Sequence, residues 1–379
     1  MHTAKRLRTL DVFRGLTIML MILVNTPGSF AYVYPLMEHA QWSGCTLADL
    51  VFPFFLFAVG FSGFLSCRKY GGHLSAELWK KIFLRLVGLF LLGILFNMYP
   101  YYDASVGLSW ESIVSFWQNI RIFGVLQRIA LAYFLGMLLC CWLGKTVRIM
   151  FAGALLLLIQ WVGFLLYAPE APFVLEHNLS QAIDLLVPGA AHIYQGFGIP
   201  FDPEGLYGTL TSAVNVMIGY LAGRLVWKHS SKGLPIGRLT GWGLLCFLSG
   251  LLLGNWVIIC KALWTPSYVL LTSGIALLLF ALLLYLLDEK HWLVTLMRPA
   301  QAFGTNPLFF FFASAFVAQS MGFPWFMVEG QPLYDWIYQT FFMQLLVPEF
   351  GSFVFGLVYL FLCGLVAEWL YRCHIFLKI

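Results

Sequence analysis

The residues best suited to chemistry lie in one run, His39-Ala40-Gln41-Trp42-Ser43-Gly44-Cys45-Thr46-Leu47-Ala48-Asp49-Leu50. An imidazole changes charge near neutral pH and is the commonest general base. A carboxylate beside it would orient the ring and balance the charge it acquires. Each residue also has a plainer reading. His39 alone is an ordinary loop histidine. Asp49 stands at the start of an apolar run, where a carboxylate favours a helix dipole, and Thr46 with Asp49 resembles a capping box. Trp42 and the aromatic stretch Phe52 to Phe57 would exclude water around the pair.

A second group of charges falls in or beside apolar runs: Asp11, Arg14, Arg121 and Arg128. A charge at the bilayer centre costs about 3 kcal/mol on insertion scales, so such residues face polar surroundings and have partners. Arg14 lies one turn from Asp11. It reads either as a helix-local pair or as a cationic lining for an anionic ligand. Arg128 follows Gly124-Val125-Leu126-Gln127 with no acidic residue nearby, and reads either as one half of an inter-helix pair or as a ligand contact. No metal site is expected, because neither a HExxH nor a paired-cysteine pattern occurs. There is no phosphate-binding loop and no dinucleotide glycine fingerprint. Gly198 to Gly205 is interrupted by Pro200 and Asp202-Pro203 and reads as a loop.

The elements that carry these residues are membrane helices. Of 379 residues, 61% are hydrophobic and 10% charged, with mean hydropathy +0.84; soluble domains carry roughly a quarter charged residues. A spanning helix needs about 20 apolar residues. Runs near 10–27, 46–66, 82–98, 122–143, 149–167, 206–226, 239–258, 268–287, 302–321 and 350–371 qualify. The expectation is an all-α integral membrane protein, a polytopic bundle of about ten helices forming one domain over 1–379. The first run reads as a retained span rather than a cleaved signal. All but four of the 22 Lys and Arg residues (Arg14, Arg121, Arg128 and Lys261) fall in segments on one side. The positive-inside rule therefore puts both termini in the cytoplasm. The net charge of +5 belongs to those loops and gives no case for nucleic acid.

The opposite side carries two longer segments, 168–206 and 322–349, read as extracytoplasmic elaborations. The first holds Glu170, Glu176, Asp184, Asp202 and Glu204, and a glycosylation sequon at Asn178-Leu179-Ser180. The second includes Leu333 to Val347, rich in aromatic residues and read as an interfacial helix. The eight cysteines mostly sit in apolar runs, so no disulfide framework is expected.

Several segments together resemble the heparan-α-glucosaminide N-acetyltransferase family and its bacterial relatives, which are multispan membrane acyltransferases. They are Arg6-Leu7-Arg8, Leu10-Asp11-Val12-Phe13-Arg14-Gly15-Leu16, Asn25, His39-Ala40 with Trp42 and Gly44, and Ala48-Asp49-Leu50-Val51-Phe52-Pro53. They continue through Arg121-Ile122, Gly124-Val125-Leu126-Gln127-Arg128, Phe201-Asp202-Pro203-Glu204-Gly205, Leu263-Trp264 with Ser267-Tyr268, and Tyr371-Arg372 with Ile375-Phe376. The resemblance implies an enzyme that moves an acetyl group from cytoplasmic acetyl-CoA to the amino group of a glucosamine-type sugar on the far side. It makes His39 the catalytic histidine, as general base or transient acetyl carrier, with Asp49 and Asn25 as polar partners. It places Arg6, Arg8, Arg14 and Arg128 near the coenzyme. Eukaryotic members carry an added luminal region and span, so a chain opening at Arg6-Leu7-Arg8 is expected to be a bacterial-type, multi-pass inner-membrane member. Better-studied members are oligomers, which leaves a homodimer open as a partner. Two alternatives remain: an O-acetyltransferase of an outer glycan, and a sugar transporter without chemistry. No internal repeat of the transporter kind is evident by eye.

Overall fold

A computed structural model describes residues 7–102, 107–229, 233–344 and 347–377. In chain order the helices are α1 (Arg8–Asn25), α2 (Leu47–Lys69), α3 (Ala76–Asn97), α4 (Trp110–Gln118), α5 (Val125–Leu143), α6 (Thr146–Tyr167) and α7 (Leu179–Leu186). They continue with α8 (Leu206–His229), α9 (Ile236–Leu253), α10 (Pro266–Leu283, running on as a π-helical stretch to Glu289), α11 (Arg298–Thr305) and α12 (Pro307–Gly322). A two-stranded hairpin, β1 (Met327–Val328) and β2 (Gln331–Pro332), precedes α13 (Leu333–Ile337, running on as a π-helical stretch to Phe342) and α14 (Pro348–Arg372). The hairpin turns through Glu329 and Gly330, both at positive φ, as a tight two-residue turn requires.

Each expected span overlaps helix, and among the described residues seven helices (α2, α5, α6, α8, α9, α10 and α14) are long and apolar enough to cross a bilayer by length and composition. The chain is an all-α, multi-pass membrane protein. The faces of α6, α9 and α14 show the reason in side chains: Phe151, Leu166, Leu245, Leu248, Leu252, Phe361 and Leu365 are exposed. A surface of that kind is stable against hydrocarbon, and helices suit it because their backbone polar groups are satisfied internally.

One expected span is broken. The run 302–321 is expected as a single helix, but the structure divides it at Asn306, with φ −131° and ψ 52°. Pro307 is the physical cause. It has no N–H to donate, and its ring drives the preceding residue out of the helical region. The side chain of Asn306 ties the break to the segment after α14: its Nδ2 donates to the Ile375 carbonyl (2.9 Å) and its Oδ1 accepts from the Leu377 N–H (2.8 Å).

The chain forms two compact units, one of residues 1–39, 46–51 and 280–379, the other of 40–45 and 52–279. Each is locked by a reciprocal close approach of two backbones. In the first, a Cβ on Gly15 would meet the Ala300 carbonyl of α11, and a Cβ on Gly304 the Asp11 carbonyl of α1. In the second, a Cβ on Gly60 would meet the Val216 carbonyl of α8, and a Cβ on Gly219 the Phe57 carbonyl of α2. Small residues take this role in membranes because lipid removes the hydrophobic drive between helices and leaves close packing to hold them.

The sequon does not present a glycan acceptor. Asn178 is 1% exposed and caps α7, its Oδ1 accepting from the Gln181 N–H (3.0 Å) while Nδ2 donates to the carbonyls of Val174 and Leu175. A side chain so engaged is not available for glycosylation in the folded chain.

The Gly219→Leu variant forces backbones apart and should lose about 1–3 kcal/mol of stability, read as a lower thermal midpoint in detergent. An unchanged midpoint would refute the close packing of α2 on α8.

Candidate active site

In the first unit, the first turn of α2 brings Asp49 under the loop that follows α1. The Asp49 side chain is fully buried, and both of its oxygens are used. Oδ1 lies 2.8 Å from Nδ1 of His39. Oδ2 accepts from the backbone N–H of Thr46 (3.1 Å) and from its hydroxyl (3.1 Å). The two sequence readings of Asp49, helix cap and histidine partner, are therefore both true, one per oxygen. A carboxylate only accepts, so Nδ1 of His39 must donate. A neutral ring then carries its lone pair on Nε2. The His39 side chain is 50% exposed, so the ring is oriented from a buried side yet open on another.

The loop bearing His39 is anchored along its length. The Gly28 N–H donates to the Ser352 carbonyl (3.1 Å), the Ser29 N–H to Ser352 Oγ (3.0 Å), and Tyr334 Oη to the Pro27 carbonyl (2.7 Å). The Leu47 N–H closes the loop onto the Leu36 carbonyl (3.2 Å). Asn25, the last residue of α1, is exposed at the entry to this loop. Its side chain makes no hydrogen bond among the described residues.

The other end of α1 holds the basic candidates. Arg6 lies outside the described residues. Arg8 begins the helix and is partly buried. Arg14 pairs with Asp11 at 3.8 Å, a helix-local contact that leaves its side chain 24% exposed. The start of α1 is fixed by a residue that sequence reasoning passed over: Asp288, beyond α10, accepts from the Thr9 N–H (3.1 Å) and from the Thr9 hydroxyl. An acidic side chain at a helix N-terminus is favoured by the orphan N–H groups there, but nothing in the local sequence joins positions so far apart.

Arg128 lies in the second unit, fully buried near the N-terminus of α5. Its Nη2 donates to the Gly205 carbonyl (2.8 Å), and its guanidinium sits 5.1 Å from the centre of the Trp264 ring. No carboxylate lies within salt-bridge distance of it among the described residues. Nε and Nη1 have no hydrogen-bond partner among the described residues. Trp264 is held at φ 54°, a conformation that costs of order 1–3 kcal/mol and persists only where surroundings impose it. Here they do: its Nε1 donates to Asn215 Oδ1 (3.0 Å), and its carbonyl accepts from Thr211 (2.7 Å).

The carboxylates near Arg128 belong to its neighbour. Arg121 bonds Asp202 through Nε (3.0 Å) and Nη2 (2.6 Å), and Glu204 through Nη2 (2.5 Å). Burial opposes its charge, but Glu204 and Asp202 outweigh that and raise its pKa. Asp184 of α7 completes the cluster. Its Oδ1 accepts from the Leu206 N–H at the start of α8 (2.9 Å), and burial pushes its carboxyl up to about 7.

Because the folded state raises the Asp184 pKa, it holds a proton that the unfolded chain has released. The associated stability is present at acid pH and is lost as pH rises from the ordinary carboxylate range through about 7. Asp184→Asn keeps an oxygen for Leu206 and removes the charge. It should raise the thermal midpoint by several degrees at about pH 8 and leave it near wild type at about pH 5. Equal shifts at both values would contradict the buried, protonated carboxyl.

Residues 6–183, which contain every candidate named from Arg6 to Arg128, match the family described as heparan-alpha-glucosaminide N-acetyltransferase, catalytic. The chain is 29% identical to heparan-alpha-glucosaminide N-acetyltransferase of Homo sapiens, over 75% of this chain and 49% of that protein. It is 28% identical to the Mus musculus protein of the same name, over 76% of this chain and 50% of that one. The chain thus spans about half the length of the curated relatives it matches. Over these residues the chain is therefore similar to the heparan-alpha-glucosaminide N-acetyltransferase family.

Proposed function

We propose that this chain is a transmembrane acetyltransferase that moves the acetyl group of cytoplasmic acetyl-CoA to the amino group of a glucosamine-type sugar on the extracytoplasmic side. The observation that carries the reading is the 2.8 Å bond between His39 Nδ1 and the buried Asp49 carboxylate. The loop charges favour cytoplasmic termini and a cytoplasmic (inner) membrane location.

The donor supplies an acetyl thioester on an arm long enough to cross only part of a hydrocarbon core ~30 Å thick. Arg8 and Arg14 at the start of α1 suit its phosphates through charge-assisted hydrogen bonds. At the other end of α1, His39 Nε2 takes the proton of the sugar amine as its nitrogen attacks the thioester carbon. The C–N bond forms, the C–S bond breaks, and the leaving thiolate is protonated to CoA. Asp49 keeps the ring in the tautomer that accepts at Nε2 and stabilises the imidazolium. The Asn25 amide donates to the carbonyl oxygen as charge develops there. A histidine that first carries the acetyl group itself uses the same residues in two steps. CoA release on mixing enzyme with acetyl-CoA alone separates the two.

His39→Ala should abolish acceptor-dependent CoA release while retaining acetyl-CoA binding. Asp49→Asn keeps an oxygen for Thr46 but loses the charge, and should lower kcat by about 10²–10⁴-fold. Full turnover in His39→Ala protein would sink the assignment.

A further inference from the structure

The second unit carries a groove of about 540 Å³ that the transfer step leaves unused. It is formed where the segment 41–43 meets the segments on either side of α7. Volumes of this size suit small ligands, and such sites are mostly apolar with a few placed polar groups. Its apolar part includes three aromatic rings, Trp42, Phe173 and Phe197, beside aliphatic side chains. The polar part is Gln41, Ser43 and Glu176, all exposed.

The aromatic wall is rigid. Trp42 Nε1 donates to the Phe173 carbonyl (2.9 Å), and its ring meets Phe197 and Phe201 edge-on, with centroids 6.0 and 5.4 Å apart. Phe173 is backed in turn by Phe164 at 5.5 Å. The strand of chain is pinned beside it by the Gly44 N–H on the Ile259 carbonyl (2.7 Å). The groove therefore presents fixed ring surface beside a carboxylate and two neutral hydrogen-bonding side chains.

Those features select an occupant. A pyranose has apolar C–H faces and a polar rim, so it lies on aromatic surface while its edge groups reach side chains at the border. An amino sugar adds an ammonium, which the carboxylate of Glu176 would bind by charge-assisted hydrogen bonds and aromatic faces would attract. No Lys or Arg is among the described residues lining the groove, so its charge suits a cation and opposes a phosphate-bearing ligand such as the CoA nucleotide. Along the chain, Gln41 is two residues from His39.

We infer that this groove is an acceptor subsite, holding an inner amino-sugar unit of a glycan on Trp42 with its ammonium toward Glu176. The inference rests on the acetyl-transfer reading for its purpose, but binding can be measured without any transfer.

The test uses the full chain in lipid nanodiscs and a glucosamine tetramer, with its fully N-acetylated counterpart as control, titrated without acetyl-CoA and followed by ligand-observed NMR. Wild type and His39→Ala should bind the tetramer alike. Trp42→Leu should raise its Kd at least tenfold, and Glu176→Gln should abolish the preference for the free-amine tetramer over the acetylated one. Acetyl-CoA binding should be unchanged in all three variants. Glu176 and Gln41 lie at the exposed rim, so Glu176→Gln and Gln41→Ala report even where loss of the Trp42 ring impairs folding. Wild-type affinity and preference in Glu176→Gln, or no tetramer binding by wild type, would overturn the subsite. Wild-type acceptor KM in a turning-over Trp42→Leu enzyme would overturn the subsite and leave acetyl transfer standing. Tetramer binding that depends on Trp42, without turnover on any amino sugar, would support the subsite and defeat the transfer reading.

Discussion

A buried carboxylate has to find partners for both of its oxygens, and at Asp49 that constraint organises the candidate site. Leaving either oxygen unmatched in a dry interior would cost several kcal/mol. One oxygen closes the first turn of α2 on Thr46, and the other fixes His39. The start of a helix and the tautomer of an imidazole are thus set by one group. A substitution that damages the cap also releases the ring, so structural and chemical effects at this position arise together unless the substitute keeps its oxygen.

The same constraint shapes the polar interior of the second unit. Gln160 Nε2 reaches Thr211 and the Leu263 carbonyl; Thr211 and Asn215 hold Trp264; and Trp264 lies beside the guanidinium of Arg128. Arg121 takes the two carboxylates at hand, so the contacts of the Arg128 guanidinium are a backbone carbonyl and an aromatic ring. Ion pairing by one arginine thereby defines the electrostatic setting of the other. This is a rigid, desolvated surround, the kind in which a few polar groups hold one geometry.

How much of this was legible in the sequence depends on how far each interaction reaches along the chain. Spans are local in their cause, since a bilayer demands unbroken apolar length, and the helices stand where the runs are. The pairing of Arg14 with Asp11 is one helical turn and was likewise readable. Asp49 was readable as two alternatives but not as both, because composition cannot say that two oxygens of one carboxylate face different ways. The partners of Arg121 and the clasp of Asp288 on Thr9 join distant segments, and no local pattern encodes them. The break at Asn306 was announced by Pro307, yet the apolar residues on either side masked it. The resemblance of motifs, rather than spacing, singled out His39 among eight histidines.

The clasp at Asn306 gives the last described residues a definite job. The Asn306 side chain at the break before Pro307 is held by the backbone of Ile375 and Leu377. A cut ahead of Ile375 would strip those partners from Asn306 at the junction of α11 and α12, and α11 is the helix whose Gly304 grips the backbone of α1. Loss of this clasp would in this way be transmitted to the helix that leads into the loop of His39.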